Sequence, residues 1–346
     1  MRLRLRHVLA VALFVGLMAA GCGSGKATTP ASRSSAAGAA FPVTIAHKFG
    51  TTTIKAEPKR VVTVGLTDQD AMLALGKVPV GTTEWFGGFP GAIGPWATGY
   101  LHGAPLPTVL KDTGTGPQVE KIAALRPDLI LAVYGGLTKK QYETLSKLAP
   151  VVAQPKQYND FGVPWDVQTK TIGQALGKEK QADTLVAGVQ AKFAAVRKAN
   201  PEFEGKTAVS GTPYEGYFVY GSQDPRSRTL TSLGFRLPTD LDKLIGDQFG
   251  ANISKERTDL LDQQVIVWSV SNVAKDAPTL HADKLYADLN VVKQGREVLV
   301  GEDTPYGVSY SFETVLSLPY LLDRLAPQLK AAVDGDPATK VEQPAQ

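Results

Sequence analysis

The segment RVVTVGLTDQDAMLALGKVPVG, residues 60–81, decides the fold. It opens on a β-branched run, which is followed by apolar residues at helical spacing from Asp68 to Leu75 and then by Gly76. A second short strand is predicted over Val78 to Thr82. Strand, helix and strand in close succession predict a parallel sheet with helices packed on its faces.

The same alternation extends on both sides of this segment. A hairpin is predicted over Val43 to Ile54, around Phe49-Gly50. Further along the chain, we predict a helix, a strand, a helix and a strand over Gln118–Leu125, Asp128–Tyr134, Lys139–Leu148 and Val151–Gln154. We therefore predict an N-terminal α/β lobe over residues 43–164.

The centre of the chain lacks this alternation. From Asp166 to Phe203 apolar residues recur every three or four positions, with one interruption near Gly173 and Gly177, which predicts a long amphipathic helix. Beyond it, strands are predicted over Thr207–Val209, Tyr217–Tyr220, Val265–Val270 and Glu297–Val300. Helices are predicted over Arg228–Leu233, Lys255–Leu261, Asp283–Leu289 and Phe312–Ala332, the last interrupted at Pro319.

Together these patterns predict an α/β protein with two lobes. Each lobe has a central, mostly parallel sheet, and a ligand cleft lies between the lobes. The predicted boundaries are the N-terminal lobe over 43–164, a linking helix over 165–203, a C-terminal lobe over 204–333 and a tail over 334–346.

The N-terminus has the pattern of a secretory signal. Three arginines precede an apolar run from Val8 to Ala20, which is shorter than the ~20 residues that span a bilayer as a helix. The run ends in AAGC, residues 19–22, which resembles a bacterial lipobox, and Cys22 is the only cysteine. We predict a lipoprotein signal peptide over residues 1–21 and a lipid anchor at Cys22, which would hold the protein on the extracytoplasmic face of the cell membrane. Residues 22–42 are rich in Ala, Gly, Ser, Thr and Pro, which predicts a flexible tether.

The composition argues against several classes of protein. Apolar residues make up 43% of the 346 residues and charged residues 20%, as in a folded domain. Without the three signal arginines, 34 basic residues face 33 acidic ones, so nothing attracts the chain to nucleic acid over a distance. One cysteine and four histidines leave little for a disulfide framework or a metal site. Phosphate-binding loops, dinucleotide fingerprints and serine-nucleophile motifs are absent from the sequence. We therefore predict no catalytic residues, no metal and no cofactor.

Seven motifs occur in a characteristic order along the chain. They are RVVTVG (60–65), ALGKVPVG (74–81), VEKIAALRPDLIL (119–131), IGQALG (172–177), the segment Gly221–Phe235, ISKE (253–256) and LNVVKQG (289–295). In this order they resemble the iron-siderophore and cobalamin class of substrate-binding proteins of ABC importers, over roughly residues 43–330. The resemblance implies two α/β lobes hinged by one rigid helix and delivery of a ligand to the permease dimer of an ABC importer, and it does not fix the ligand. We predict that the ligand is a ferric siderophore and that the protein is a monomer.

Aromatic residues are frequent in the segments that follow predicted strands, where open α/β sheets bind ligands. Rings in such a cleft suit a large amphipathic ligand. The candidate ring contacts are Trp85, Phe86, Trp96, Tyr134, Tyr214, Tyr220, Tyr306 and Tyr310. Arg226 and Arg228 are expected to reach carbonyl or hydroxamate oxygens of a ferric chelate, and the resemblance favours Arg226. Because only two such arginines are available to balance an anion, we predict a hydroxamate or mixed chelate rather than a tricatecholate.

Glu120 and Glu256 are candidate contacts to the importer. Each is predicted at the start of a helix, one in each lobe, where a carboxylate also complements the positive helix end. The resemblance implies that each pairs with an arginine of one permease subunit.

Other functions fit the same sequence features. Haem or cobalamin is an alternative cargo for the same fold. Haem would need an axial His or Tyr; His102 and His281 lie in no recognisable motif, whereas cleft tyrosines are available. From a different class, a lipid-anchored adhesin or cell-wall enzyme would use the same tether. An adhesin would ignore small ligands, and an enzyme would turn one over.

Overall fold

The computed structural model describes residues 41–85, 87–111 and 116–345, apart from the side chains of residues 255 and 256. These residues form a hairpin and two larger sheets. The hairpin pairs β1 (Val43–His47) with β2 (Gly50–Ile54) in antiparallel register, as predicted. None of the helices in the described ranges is long and apolar enough to cross a membrane.

The sheet of the N-terminal lobe is parallel throughout. Its strands are Val61–Thr63 (β3), Gly81–Thr83 (β4), Thr108–Leu110 (β5), Leu129–Ala132 (β6) and Val151–Ala153 (β7). They lie in the order β5-β4-β3-β6-β7. The strands β4 and β5 are added on one side of β3 and the strands β6 and β7 on its other side, so the order of the strands switches between β3 and β6. The helices of this lobe are Asp68–Ala74 (α1), Val119–Ala124 (α2) and Lys139–Leu145 (α3).

Two helices lead from the first lobe to the second. They are α4 (Trp165–Ala175) and the 21-residue α5 (Glu179–Ala199), and they separate where Gly177 adopts a φ of +65°. A glycine at position 173 lets them pack closely, because a Cβ there would lie 2.4 Å from the Cβ of Ala182. The predicted helical segment is therefore a shorter helix followed by a long one, with the interruption near Gly177 as predicted.

The sheet of the C-terminal lobe is mixed. Its strands are Ala208–Thr212 (β8), Tyr217–Tyr220 (β9), Gly250–Ile253 (β10), Val265–Val270 (β11) and Glu297–Gly301 (β12). The strand order is β10-β9-β8-β11-β12. The strands β8, β11 and β12 are parallel to one another, and β9 is antiparallel to both of its neighbours, β8 and β10. Its helices are Pro225–Ser232 (α6), Leu241–Ile245 (α7), Val273–Ala282 (α8), Lys284–Ala287 (α9), Asn290–Lys293 (α10), Pro305–Ser311 (α11) and Ser317–Val333 (α12).

Several elements differ from the predictions. The elements β5, β10, α7, α8, α10 and α11 were not predicted from the sequence, and α6 begins at Pro225 rather than at Arg228. Residues 255–260 form a 3-10 helix. The predicted break at Pro319 is wrong, because this proline lies in the first turn of α12, where a missing N–H costs no intrahelical bond.

One hydrophobic core runs through both lobes. It contains Leu73 of α1, Phe193 of α5, Val298 of β12 and Leu321 of α12, all buried. The helices α5 and α12 pack against each other, so the linking helix is part of this core and not a free connection. The two lobes are therefore held together by packing as well as by the covalent chain.

Candidate ligand-binding cleft

A cavity of about 410 Å³ lies between the lobes. Its wall in the N-terminal lobe is formed by Leu66, Tyr134 and Phe161, and its wall in the C-terminal lobe by Tyr220, Asp224, Arg226, Phe249, Glu302, Val308, Ser311 and Phe312. Leu66 and Tyr134 follow the neighbouring strands β3 and β6, between which the order of the strands switches. Ligands of open α/β sheets bind at such a switch point.

A buried carboxylate positions Tyr134 on the N-terminal wall. The backbone N–H groups of Val133 and Tyr134 donate to Asp68 at 2.8 and 3.0 Å. Gln168 of α4 donates to the same carboxylate at 2.8 Å. Burial raises the pKa of Asp68, and these hydrogen bonds oppose that rise. The ring of Tyr134 meets Phe161 edge-on, with 6.2 Å between the centroids. The N-terminal wall of the cavity is thus held in place by hydrogen bonds to the buried Asp68.

An ion pair and an aromatic ring fix Arg226 on the opposite wall. Asp224 caps α6 by accepting the backbone N–H of Arg226 at 2.9 Å. The same carboxylate accepts from Nη1 of Arg226 at 3.1 and 3.0 Å. The guanidinium carbon lies 4.0 Å from the ring centroid of Tyr220, a cation–π contact. Ser227 donates to the Tyr220 carbonyl at 3.0 Å, which ties α6 to β9.

The electrostatics keep this wall cationic and its phenol neutral. Burial lowers the pKa of Arg226, but Asp224 together with Tyr220 and Tyr310 outweighs burial, so the pKa is raised and the guanidinium stays charged. Its Nε is buried without a hydrogen-bond partner among the described residues. Burial raises the pKa of Tyr220 to about 12. The wall therefore offers a fixed cation and a phenol that keeps its proton.

The matched family spans most of the two lobes. The sequence model described as periplasmic binding protein matches residues 64–304, from the end of β3 to the loop after β12. The chain belongs to the periplasmic binding protein family.

Solved structures of other binding proteins are similar in fold to this chain. A periplasmic solute binding protein from Mycobacterium smegmatis is 35% identical, with a TM-score of 0.72 over 84% of this chain and 98% of its own. PiaA, an iron uptake ABC transporter substrate-binding protein from Streptococcus pneumoniae, was solved in complex with ferrichrome. In that complex it is 28% identical, with a TM-score of 0.75 over 85% of this chain and 99% of its own. YhfQ of Bacillus subtilis, named as an ABC transporter substrate-binding lipoprotein, is 29% identical over 56% of this chain, which spans 58% of the length of YhfQ.

Among the residues predicted to contact the ligand, Tyr134, Tyr220 and Arg226 line the cavity of this binding protein. Tyr306 and Tyr310 do not. They lie four residues apart on one face of α11 and point into the core, where their hydroxyls donate to Gln328 at 2.6 Å and Ser210 at 2.9 Å. Val308 and Ser311, on another face of α11, line the cavity instead.

Arg228 also lies outside the cavity lining. It is two residues from Arg226, and positions two apart on a helix point in different directions. Its Nη1 donates to the carbonyl of Gly162 at 2.7 Å, a contact between the lobes. It lines a second cavity of about 450 Å³ with Arg197 and the buried Glu313. We therefore assign Arg228 to the contact between the lobes.

The remaining predicted aromatic contacts lie behind or away from the cavity. Trp85 donates to the carbonyl of Ala92 at 2.9 Å, and its ring backs that of Phe312 at 5.7 Å between centroids. Trp96 donates to Asp70 at 2.7 Å. Tyr214 is 61% exposed on the turn between β8 and β9 and does not line the cavity.

Some predicted functional residues fall outside the described part of the chain. These are Cys22, Phe86 and the side chain of Glu256. The backbone of Glu256 lies in the 3-10 helix after β10, and Glu120 is exposed in the first turn of α2.

Three phenylalanines that line the cavity were not predicted as ligand contacts from the sequence: Phe161, Phe249 and Phe312. Phe161 follows the predicted strand Val151–Gln154 in the segment YNDFG (158–162), a signal that could have identified it. Phe249 precedes β10, which was not predicted, and Phe312 was placed inside a predicted helix. The described residues contain no cluster of three or more His, Cys, Asp or Glu side chains placed to hold a metal ion.

Proposed function

We propose that the protein captures an intact ferric siderophore in the cavity between its lobes and delivers it to an ABC importer permease for iron uptake. The observation that carries this proposal is the buried guanidinium of Arg226 opposite a wall of aromatic rings. The guanidinium donates to the anionic oxygens around the ferric ion, and the rings cover the apolar shell of the chelate. The likeness to PiaA, solved with ferrichrome, supports this cargo.

The protein binds this cargo and performs no chemistry on it. Tyr134 and Tyr220 keep their protons, because burial raises the pKa of both phenols. They act as hydrogen-bond donors to chelate oxygens, and iron stays ferric and bound to the siderophore. No cofactor takes part.

The same residues favour a chelate over haem. An axial ligand to haem would come from a histidine or a tyrosinate. His281 does not line the cavity and pairs with Glu297 at 3.0 Å, and His102 does not line it either. A tyrosinate ligand would have to come from Tyr134 or Tyr220, and burial raises the pKa of both phenols.

The protein works as a monomer tethered to the outer face of the cell membrane. A lipid on Cys22 anchors it, and residues 22–42 form the tether. The name of YhfQ, a lipoprotein of an ABC transporter, supports this location. Glu120 and Glu256, one in each lobe, pair with arginines of the permease dimer.

Titration of the purified protein tests the proposal. We expect one equivalent of a ferric hydroxamate to quench tryptophan fluorescence, because Trp85 backs the cavity residue Phe312. Arg226→Gln should weaken binding by about tenfold or more, since a charge-assisted hydrogen bond is lost. The double variant Asp224→Asn/Arg226→Gln removes the guanidinium without leaving a buried carboxylate unpaired, and it should show the same loss.

Arg257 supplies the matched control. It pairs with Asp259 at the same two-residue spacing, but on the surface, at 3.0 Å. Arg257→Gln should bind as the wild type does. Tight binding of haem or cobalamin with no response to ferric siderophores would overturn the proposed cargo, and turnover of a ligand would overturn the binding role.

A further inference from the structure

The charges that line the cavity do not balance. Arg226 is the only cation among the described lining residues, and Asp224 already neutralises it at 3.0 Å. Glu302 lines the same cavity and forms no ion pair within the described part of the chain. With all three groups ionised, the lining carries one negative charge in excess.

The position of Glu302 is set by the sheet. It follows β12 directly, and its backbone N–H donates to the carbonyl of Val270 in β11 at 2.8 Å. Burial raises the pKa of Tyr220, Arg226 opposes that rise, and the carboxylates of Asp224 and Glu302 add to it, which places Glu302 within electrostatic reach of that phenol. Glu302 thus faces the ligand space from the end of a parallel strand, beside Tyr220.

A ligand that fills this cavity takes water away from Glu302. A carboxylate that loses water without gaining a cation or hydrogen-bond donors is costly, and a second anion beside it adds repulsion. Citrate and catecholate chelates of iron bring negative charge of their own. Three hydroxamates each carry one negative charge and neutralise the ferric ion, so a hydroxamate chelate adds no repulsion.

We propose that Glu302 is a specificity-determining residue that selects a ferric hydroxamate with a pendant ammonium group over neutral and anionic chelates. This inference rests on the proposed siderophore-binding function. The ammonium pairs with Glu302, while Arg226 donates to the oxygens around the iron. The cation completes the charge balance of the cavity.

A matched pair of ligands isolates this interaction. Ferrioxamine B carries one ammonium group, and its N-acetylated derivative is the same chelate without that charge. We expect the wild type to bind ferrioxamine B about tenfold more tightly than the acetylated form, as for a charge-assisted hydrogen bond in a desolvated site. In Glu302→Gln, which keeps the shape of the side chain, the two ligands should bind equally. Glu179→Gln, on the exposed start of α5, should retain the wild-type preference.

The outcomes separate this inference from the function on which it rests. Equal affinity of the wild type for both chelates would overturn the role of Glu302 and leave siderophore binding intact. A preference that persists in Glu302→Gln, or tighter binding of ferric citrate than of ferrioxamine B, would overturn it as well. If no ferric siderophore binds and haem does, the proposed function itself fails. Circular dichroism of each variant verifies that it is folded.

Discussion

Gly65 and Asp68 together set the position of the N-terminal cavity wall. The carboxylate of Asp68 receives the backbone N–H groups of Val133 and Tyr134, so it holds the end of β6 against the start of α1. This geometry leaves no room for a side chain at position 65. A Cβ there would lie 2.3 Å from Oδ2 of Asp68. The glycine is therefore required by close approach and not by its backbone angles.

Gly65→Ala should destabilise the protein and weaken ligand binding together. The added methyl group displaces the Asp68 carboxylate and loosens Tyr134, at an expected cost of ~1–3 kcal/mol in the free energy of unfolding. Urea denaturation and fluorescence titration measure the two effects. Gly188→Ala is the control: this glycine lies within α5 with nothing within 4 Å of the added Cβ. It should leave affinity unchanged and stabilise the helix by up to ~1 kcal/mol. Wild-type behaviour of Gly65→Ala would contradict the assignment.

At the same scale, the sequence predicted which residue types line the cleft better than which individual residues do. Tyr134, Tyr220 and Arg226, chosen because they flank predicted strands, line the cavity, and their contact with a ligand stays a prediction. The resemblance favoured Arg226 over Arg228, but the predicted elements did not separate the two, since the start of α6 was predicted at Arg228 and the side chains then had no defined directions. Tyr306 and Tyr310 share a helix face that points into the core, and only tertiary packing shows which face that is.

Among the elements, α1 is unusual because it buries two carboxylates in its first turn. Asp70 accepts from Trp96 of its own lobe at 2.7 Å and from Thr314, before α12, at 2.6 Å. Its other oxygen is buried without a hydrogen-bond partner among the described residues. Burial raises the pKa of Asp70 to about 6, and the two hydrogen bonds oppose that rise. This helix therefore ties the two lobes together through a carboxyl group whose pKa is raised by burial.

The stability of the protein should fall as the pH rises from 4 to 7. The folded protein holds the Asp70 proton to a pKa of about 6, above the unfolded value of 3.8. The contribution of Asp70 to the free energy of unfolding, about 3 kcal/mol, is therefore present in full below the unfolded pKa. It is lost as the pH rises through the folded pKa. Asp70→Asn should remove this contribution and flatten the pH profile of urea denaturation. Asp183→Asn, on the exposed face of α5, should keep the wild-type profile. Parallel profiles for the wild type and Asp70→Asn would refute the assignment.

Elements with strong apolar patterns were predicted, whereas elements that depend on a side-chain cap or on pairing with a neighbouring strand were not. The strands β3, β6 and β11 are buried along their whole length, and their short apolar runs identify them in the sequence. By contrast, α8 contains Pro278, which argues against a helix in the sequence, and it is stabilised by Asn272, whose side chain caps it at 3.1 Å. The strand β10 is four residues long and depends on pairing with β9.

Over the whole molecule, the two lobes share more than a linking helix. Their cores are continuous through α5, and Lys192 of α5 forms an ion pair with Asp323 of α12. Further bonds cross between the lobes: Arg228 donates to Gly162 at 2.7 Å, and Asn159 donates to the carbonyl of Asp247 at 2.5 Å. A packed core has discrete arrangements and resists continuous deformation. This architecture opposes wide opening of the cleft.

Ligand binding should therefore change the overall dimensions very little. A folded chain of this size has a radius of gyration of about 20 Å, and small-angle scattering profiles of the unlipidated protein with and without ferric hydroxamate should superimpose. Domains hinged by flexible strands instead close around their ligands and become measurably more compact. Arg228→Gln removes the bond to Gly162 and serves as the comparison. If that bond governed the hinge, this variant would have a larger radius of gyration than the wild type, but only in the absence of ligand. A clear decrease in the wild-type radius on binding would show that the continuous core does not limit closure.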